Sequence, residues 1–308
     1  LVVGNARLAA GSGAAPGAVR LDGDDLCIAT VGDDVVLDLE TPDGRPLHGS
    51  AALTALGLAA GDTLAAATTV AARLSEYDPG LARHEAAWRA RLAHTRQAVA
   101  ASATPLAPTP TADSHFAALD LPSGTDAADV VAAVAAWSWR LADGAAIALG
   151  LTDPAARATI AAVAPTAQPA IVTLAIDDST TLAALREAAS DEIAAATKHG
   201  PLLSDLFGRD PALRGAGIRP DVVIELDAND VNDADDVPAA GVLAFRVAAD
   251  GSRARVAGAF DQASVDRFAA QVSSFVGALG AAPDTAVARV TMLAPSERTL
   301  VDAVNTTD

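Results

Sequence analysis

The residues of this chain that can do chemistry are five histidines, a single cysteine and one dense acidic run. His115 and Asp120, in Ser114-His115-Phe116-Ala117-Ala118-Leu119-Asp120, are the pair with most promise. A histidine base with a nearby carboxylate can serve acyl transfer. The competing reading is an exposed histidine at the entry to a strand. It is preferred, because neither a second histidine nor a glycine supports the pair. His84 and His94 lie ten residues apart on one long helix, about 15 Å along its axis, so they cannot share a metal and read as solvent-facing. His48 reads as a loop residue. His199 reads as a helix-end residue, where a cation suits the helix dipole without any catalytic role.

The acidic run extends from Asp227 to Asp236. Its oxygen ligands can attract calcium. A calcium loop, however, wants Asp-x-Asp/Asn-x-Asp/Asn-Gly with a later Glu. Asp227 and Asn229 fit, Val231 breaks the pattern and the glycine is missing, so a solvated loop is preferred. Gly11-Ser12-Gly13 is followed by no lysine and makes no phosphate cradle, and there is no Gly-x-Ser-x-Gly elbow. Cys27 has no partner for a disulfide or a zinc cluster, and it sits in the apolar run 26–31 as a buried, inert thiol. From the residues alone, no catalytic, cofactor-binding or metal-binding position is assigned and no cofactor is expected.

At 308 residues the chain has room for one large domain or two ordinary ones. Its apolar fraction of 51% supports a core, and its aromatic fraction of 3% makes that core one of Ala, Val and Leu. A formal charge of −18 argues against a nucleic-acid partner and against an anionic membrane surface. No stretch of 18 uninterrupted apolar residues is present, and no signal peptide is visible, so the expected compartment is the cytoplasm. The start at Leu1, without Met, is read as the mark of an excised fragment.

The elements that would position these residues fall into two groups. Residues 1–70 read as short strands punctuated by Asp22-Gly23, by Gly32-Asp33-Asp34 between runs 26–31 and 35–39, and by Pro42-Asp43-Gly44. Ser50 is the expected cap of a short helix to Leu56, ended by Gly57 and Gly61. A long helix is expected over 81–101, with Trp88, Leu92 and Val99 near one face. Pro105, Pro108 and Pro110 make 102–114 a crossing linker. Beyond it, helices and strands interleave. Asp126 caps a helix to about Leu141, residues 171–176 are a strand, and residues 180–198 are a helix closed by Gly200-Pro201. Runs 222–226, 242–247 and 253–257 are strands, the last two joined about Asp250-Gly251. Asp261 caps a helix to Leu279, and 286–292 is a final strand. That alternation argues for an open sheet covered by helices.

Two resemblances add to this reading. Ala15-Pro16-Gly17-Ala18-Val19, Asp22-Gly23-Asp24-Asp25-Leu26-Cys27-Ile28-Ala29-Thr30, Gly44-Arg45-Pro46-Leu47 and Leu56-Gly57-Leu58-Ala59-Ala60-Gly61-Asp62 resemble the C-terminal subdomain of methionyl-tRNA formyltransferase-type enzymes. The family's piece is a small open β-barrel that follows a formyl-transfer lobe with no counterpart here. It can help hold tRNA, but here Arg7, Arg20 and Arg45 stand against nine acids from Asp22 to Asp62. From about residue 76 the chain resembles the later part of a condensation domain of a nonribosomal peptide synthetase. The carrying residues are Trp88-Arg89-Ala90-Arg91-Leu92, the helix 132–144 with Trp137 and Leu141, and the helix from Phe260-Asp261 to Leu279. Met292-Leu293-Ala294-Pro295-Ser296-Glu297-Arg298 through Asn305-Thr306-Thr307 resembles the join to a following adenylation domain. The family's His-His-x-x-x-Asp-Gly motif belongs to an N-terminal lobe that this chain lacks, so no catalytic residue is carried over.

The resemblances imply an α+β chain: a small open β-barrel over residues 1–71, then half of a chloramphenicol-acetyltransferase-like α/β sandwich over 72–308. The second part would comprise helix 81–101, linker 102–114, a C-terminal lobe 115–293 and a linker 294–308 towards an adenylation domain. The expected function is a non-catalytic platform in a peptide synthetase. Alternatives are a docking module for a carrier domain or accessory protein, and part of a formylating initiation module whose catalytic lobe precedes Leu1.

Overall fold

The computed structural model describes residues 2–41, 45–64, 79–99, 113–145, 148–163, 167–210, 212–213, 220–227, 242–293 and 297–299. The turn expected at Pro42-Asp43-Gly44, most of the linker 102–114 and most of the segment 294–308 lie outside these residues. The chain splits into two compact units, Leu1–Asp78 with Asp205–Gly217, and Pro79–Ser204 with Ile218–Asp308.

The first unit is an antiparallel sheet of β1 (Val2–Ala9), β2 (Val19–Asp22), β3 (Asp25–Ile28), β4 (Asp34–Glu40) and β5 (Pro46–Leu47), with α1 (Gly49–Leu56) and a single helical turn over Leu206–Arg209. Strand order is β1-β4-β3-β2, and β5 pairs with β4 beyond β3. The β2–β3 hairpin pairs Asp22 with Asp25, and Gly23 supplies the left-handed conformation at φ 62° that its two-residue turn needs. Segment 61–64 runs beside β2, where Val19 N–H donates to Asp62 O (2.8 Å) and Leu64 N–H to Gly17 O (2.8 Å). Val19, Leu26, Leu39, Ala52 and Leu53 form the core, flanked by Leu21, Leu37, Leu47 and Leu58. The cap of α1 is His48 in extended conformation, two residues ahead of the expected Ser50, because Gly49 already enters the helix. Gly57 ends it at φ 66° with its N–H on Leu53 O and Thr54 O.

The second unit is built on a six-stranded mixed sheet ordered β6-β13-β12-β11-β7-β9. Its elements are α2 (Glu85–Val99), β6 (His115–Ala118), α3 (Ala127–Leu141), β7 (Leu149–Thr152), α4 (Pro154–Val163), β8 (Ala167–Gln168), β9 (Ala170–Val172), α5 (Leu182–His199), β10 (Leu202–Leu203), β11 (Val222–Glu225), β12 (Leu243–Val247), β13 (Ala254–Gly258) and α6 (Gln262–Ala281). Strands β7, β11 and β12 are parallel and the remaining sheet pairs antiparallel. Helix α3 packs against both α5 and α6 and is buried continuously from Val130 to Trp139. Its composition explains this: Ala and Val on every side leave no polar face to present to water. Asp126 caps α3, with Asp129 returning the bond to the Asp126 N–H (2.9 Å). Asp261 caps α6 in the same way, accepting from Ser264 N–H (2.9 Å).

One expected strand is absent. Residues 287–289 form a 3-10 turn in place of a strand over 286–292. Arg140 Nη1 donates to the carbonyls of Val287 (3.2 Å), Ala288 (2.8 Å) and Val290 (3.0 Å), so the chain curls around one guanidinium and those carbonyls cannot join a ladder.

Candidate functional site

Strand β6 is an edge strand, and it carries His115 at its start. The His115 side chain points to the carbonyl of Phe260, to which Nδ1–H donates at 2.7 Å. Asp120, five residues on, lies roughly 16 Å along the extended chain and on the opposite side of the alternation. Its backbone N–H donates to Ser273 Oγ (2.9 Å) on α6. The fold therefore does not bring His115 and Asp120 together.

Asp120 instead borders a groove between β6 and α6, a cavity of about 730 Å³ lined by Ala117, Ala118, Asp120, Asp266, Ser273 and Gly277 among others. Leu119 N–H donates to Ala254 O (2.9 Å), which turns the backbone groups of the neighbouring Ala118 outward, towards the open edge. The serines that line the groove spend their protons on the helix itself: Ser273 Oγ–H donates to Ala269 O (2.7 Å) and Ser274 Oγ–H to Ala270 O (3.0 Å). A nucleophilic serine needs that proton taken by a base, and here a backbone carbonyl holds it.

A polar row crosses the sheet on the side opposite Phe245. Thr152, Glu225, Arg246 and Arg255 stand in register on β7, β11, β12 and β13. Arg246 Nε donates to Glu225 Oε2 at 3.0 Å, and the Arg255 guanidinium lies 5.1 Å from the Phe116 ring centre. Arg246 and Arg255 are 3% and 4% exposed, so their charges depend on such partners.

Two further expectations meet a different geometry. His84 lies just ahead of α2 and is half-buried, not solvent-facing; its Nδ1 is 3.2 Å from Nδ1 of His199. Burial first, then the neighbouring His84, Lys198 and Arg91 charges, hold the His199 imidazole below its usual pKa, so the expected helix-end cation is disfavoured. Burial, then Arg83 and Lys198, does the same to His84. The His94 side chain and Asn229 to Asp236 lie outside the described residues. Asp227 is in left-handed conformation at φ 49°, and its carbonyl accepts from Arg157 Nη2 (3.1 Å). Among the described residues, no three His, Cys, Asp or Glu side chains converge as a metal site.

In the first unit, the Gly11-Ser12-Gly13 loop does hold an anion, but one from its own chain. Ser12 N–H donates to Asp34 Oδ1 (3.3 Å), while Arg20 Nη2 donates to Asp34 Oδ2 (2.6 Å). The Arg20 bond, ahead of the others, holds the Asp34 carboxyl below the usual range. Gly11 is required there, since a Cβ would lie 2.1 Å from Gly32 O. Cys27 is buried in the neighbouring strand, and burial pushes its thiol pKa up.

No protein-family model and no curated protein matches this sequence. Solved structures with a similar chain path include an X-domain and condensation domains. One is the X-domain in complex with OxyB from teicoplanin biosynthesis, at TM-score 0.48 and 16% identity over 88% of this chain and 73% of that one. Another is the first condensation domain of the calcium-dependent antibiotic synthetase with a substrate analogue, at TM-score 0.46 and 17% identity over 87% and 72%. A third is the starter condensation domain of rhizomide synthetase RzmA, at TM-score 0.47 and 12% identity over 86% and 70%. No residue role is carried across from any of them.

The sequence reading missed the His84–His199 pairing, the polar row and the β6–α6 groove. No local signal announces the first, whose members are 115 residues apart. The row had one: Arg246 and Arg255 interrupt otherwise apolar strands at positions that face each other across a hairpin. No described helix is long and apolar enough to cross a membrane.

Proposed function

We propose that this chain is a non-catalytic structural segment of a cytoplasmic nonribosomal peptide synthetase. In this reading residues 1–71 are a formyltransferase C-terminal-like barrel and residues 72–308 a condensation-type C-terminal lobe without its histidine motif. Together they organise an adjacent adenylation domain. One observation carries the reading: His115, the histidine best placed in sequence for acyl transfer, is committed to Phe260 O, while Asp120 is held through its backbone N–H by Ser273 of α6 and does not meet it. Without a His115–Asp120 pair, and with both groove serines bonded to helix carbonyls, the ingredients of acyl transfer stand singly and are not assembled among the described residues.

The test is a synthetase with residues 1–308 removed. The platform reading expects the adenylation domain to lose its fixed position in small-angle scattering and its amino-acid-dependent pyrophosphate exchange to fall. Unchanged position and unchanged exchange would overturn it. The charge of −18 favours a second reading, docking of an accessory protein with a basic face. Binding that weakens steeply with salt separates this from the platform role.

A further inference from the structure

We propose that His84 and His199 form a proton-operated latch, which holds the start of α2 on the end of α5 at neutral pH and releases it on mild acidification. This goes beyond the platform role and does not depend on it. The hydrogen bonds run in one direction. Arg83 Nε–H donates to His84 Nε2 at 2.9 Å, so Nε2 keeps its lone pair and the ring proton sits on Nδ1. That Nδ1–H faces His199 Nδ1 at 3.2 Å, which accepts. A further proton on His84 must go to Nε2, against the Arg83 N–H. A proton on His199 Nδ1 faces the N–H of His84. Either addition replaces a hydrogen bond with two opposed hydrogens and adds a positive charge.

Two imidazole nitrogens this close also suggest a divalent metal. The Arg83 bond argues otherwise, because it places a proton on the nitrogen a metal would need. The nearest charges are cationic as well, and no third ligand converges among the described residues.

The latch closes over a large apolar side chain. Trp88, 1% exposed, meets the His199 ring edge-on at 6.2 Å, and its Nε1 is buried with no hydrogen-bond partner among the described residues. Opening would hydrate that N–H, so the released state regains a hydrogen bond that the closed state lacks. Below this point α2 is held by buried Leu92, by the Arg91–Glu192 ion pair and by Thr173 Oγ1–H donating to Thr95 Oγ1 (3.1 Å). The charged and titratable groups on these elements are Arg83 just ahead of α2, Glu85, Arg89, Arg91, His94 and Arg96 on α2, and Arg186, Glu187, Asp191, Glu192 and Lys198 on α5 beside the latch histidines; β9 and β10, against which α2 also packs, bring none.

The sign follows from the two forms' proton affinities. Both latched imidazoles sit below their usual value. The stabilisation they give is complete above about 6.5, the value of a released histidine, and declines as pH falls through it. Glu192 works in the opposite sense, since burial outweighs Arg91 and raises its pKa. Its protonation favours the closed state, and that contribution sets in closer to the carboxylate range, after the histidines have begun to act.

Hydrogen exchange on the intact chain tests this. Peptides covering 85–99 are compared at pH 7.5 and 5.5 after correction for intrinsic rates, with peptides from α3 reporting global unfolding. The expected result is about a tenfold rise in local opening of α2 at pH 5.5, with α3 unchanged. His84→Leu with His199→Leu should reduce that rise below about twofold, whereas Glu192→Gln should preserve it. If the double variant does not fold, nuclear magnetic resonance titration of the native histidines decides. Titration below about 6.5, with the two rings coupled, supports the latch. A pH response that survives in the double variant, or histidines that titrate at or above 6.5, would overturn it.

Discussion

The two units solve the problem of a small-residue composition differently. The first builds a thin core of mid-sized aliphatics, Val19, Leu26, Leu39, Ala52 and Leu53, and adds a buried carboxylate, Asp34, tied to Arg20 and to the Ser12 backbone. The second gathers four of its scarce aromatics in one place. Trp137 lies edge-on to Phe245 (5.9 Å) and Phe268 (5.4 Å), and Phe268 to Phe260 (6.3 Å). Alanine-rich helices can then approach closely around them. The difference teaches that a 3% aromatic content need not mean an evenly thin core. Where rings converge, small neighbours become an advantage, because they let helix axes approach.

Substitutions can break or sharpen that contrast. Trp137→Ala should have the largest effect, a loss of about 3–5 kcal/mol, because it removes the shared ring and strands Gln271 Oε1, to which the indole donates at 3.0 Å. Urea denaturation measures it; a loss under 1 kcal/mol would mean the ring cluster does not organise the second unit. Leu53→Ala should cost about 2–3 kcal/mol and act on the first unit, visible as an earlier loss of protection in its strands with α3 untouched. Asp126→Ala should cost about 1 kcal/mol through the α3 cap, in addition to releasing Arg186, which bonds both Asp126 and Asp129. The smallest effect is expected from pH. Asp34 is held below its usual value, so its stabilisation is present above about 3.9 and lost as pH falls below it. Protection of β4 should decline over that range in the native chain, and Asp34→Asn should flatten the decline.

Legibility in the sequence followed the range of each interaction. The caps Asp126 and Asp261, the helix that runs from Asp261 past Leu279 and the turn at Gly251 are local features, and each was readable from a few consecutive residues. Gly251 shows how strict such a turn is, since a Cβ there would meet Thr125 O at 2.3 Å. Helix α4 also carried a local sign that went unread: Asp153 before Pro154, with Asp153 Oδ1 accepting from Ala156 N–H (2.7 Å). The 3-10 turn at 287–289 was not readable, because its cause is an arginine almost 150 residues earlier. The candidate sites failed for the same reason. His84 and Asp34 owe their properties to partners brought by the fold, whereas His115 and Asp120 are close in sequence and are separated by the pitch of a strand.

The proposed platform role requires that these units hold neighbours and transform nothing. Incubating the purified 308-residue chain with an acyl donor or a formyl donor and following the donor by mass spectrometry tests it most directly. The account predicts consumption at the buffer rate, unchanged in His115→Ala. Turnover above that rate, abolished by His115→Ala, would contradict it.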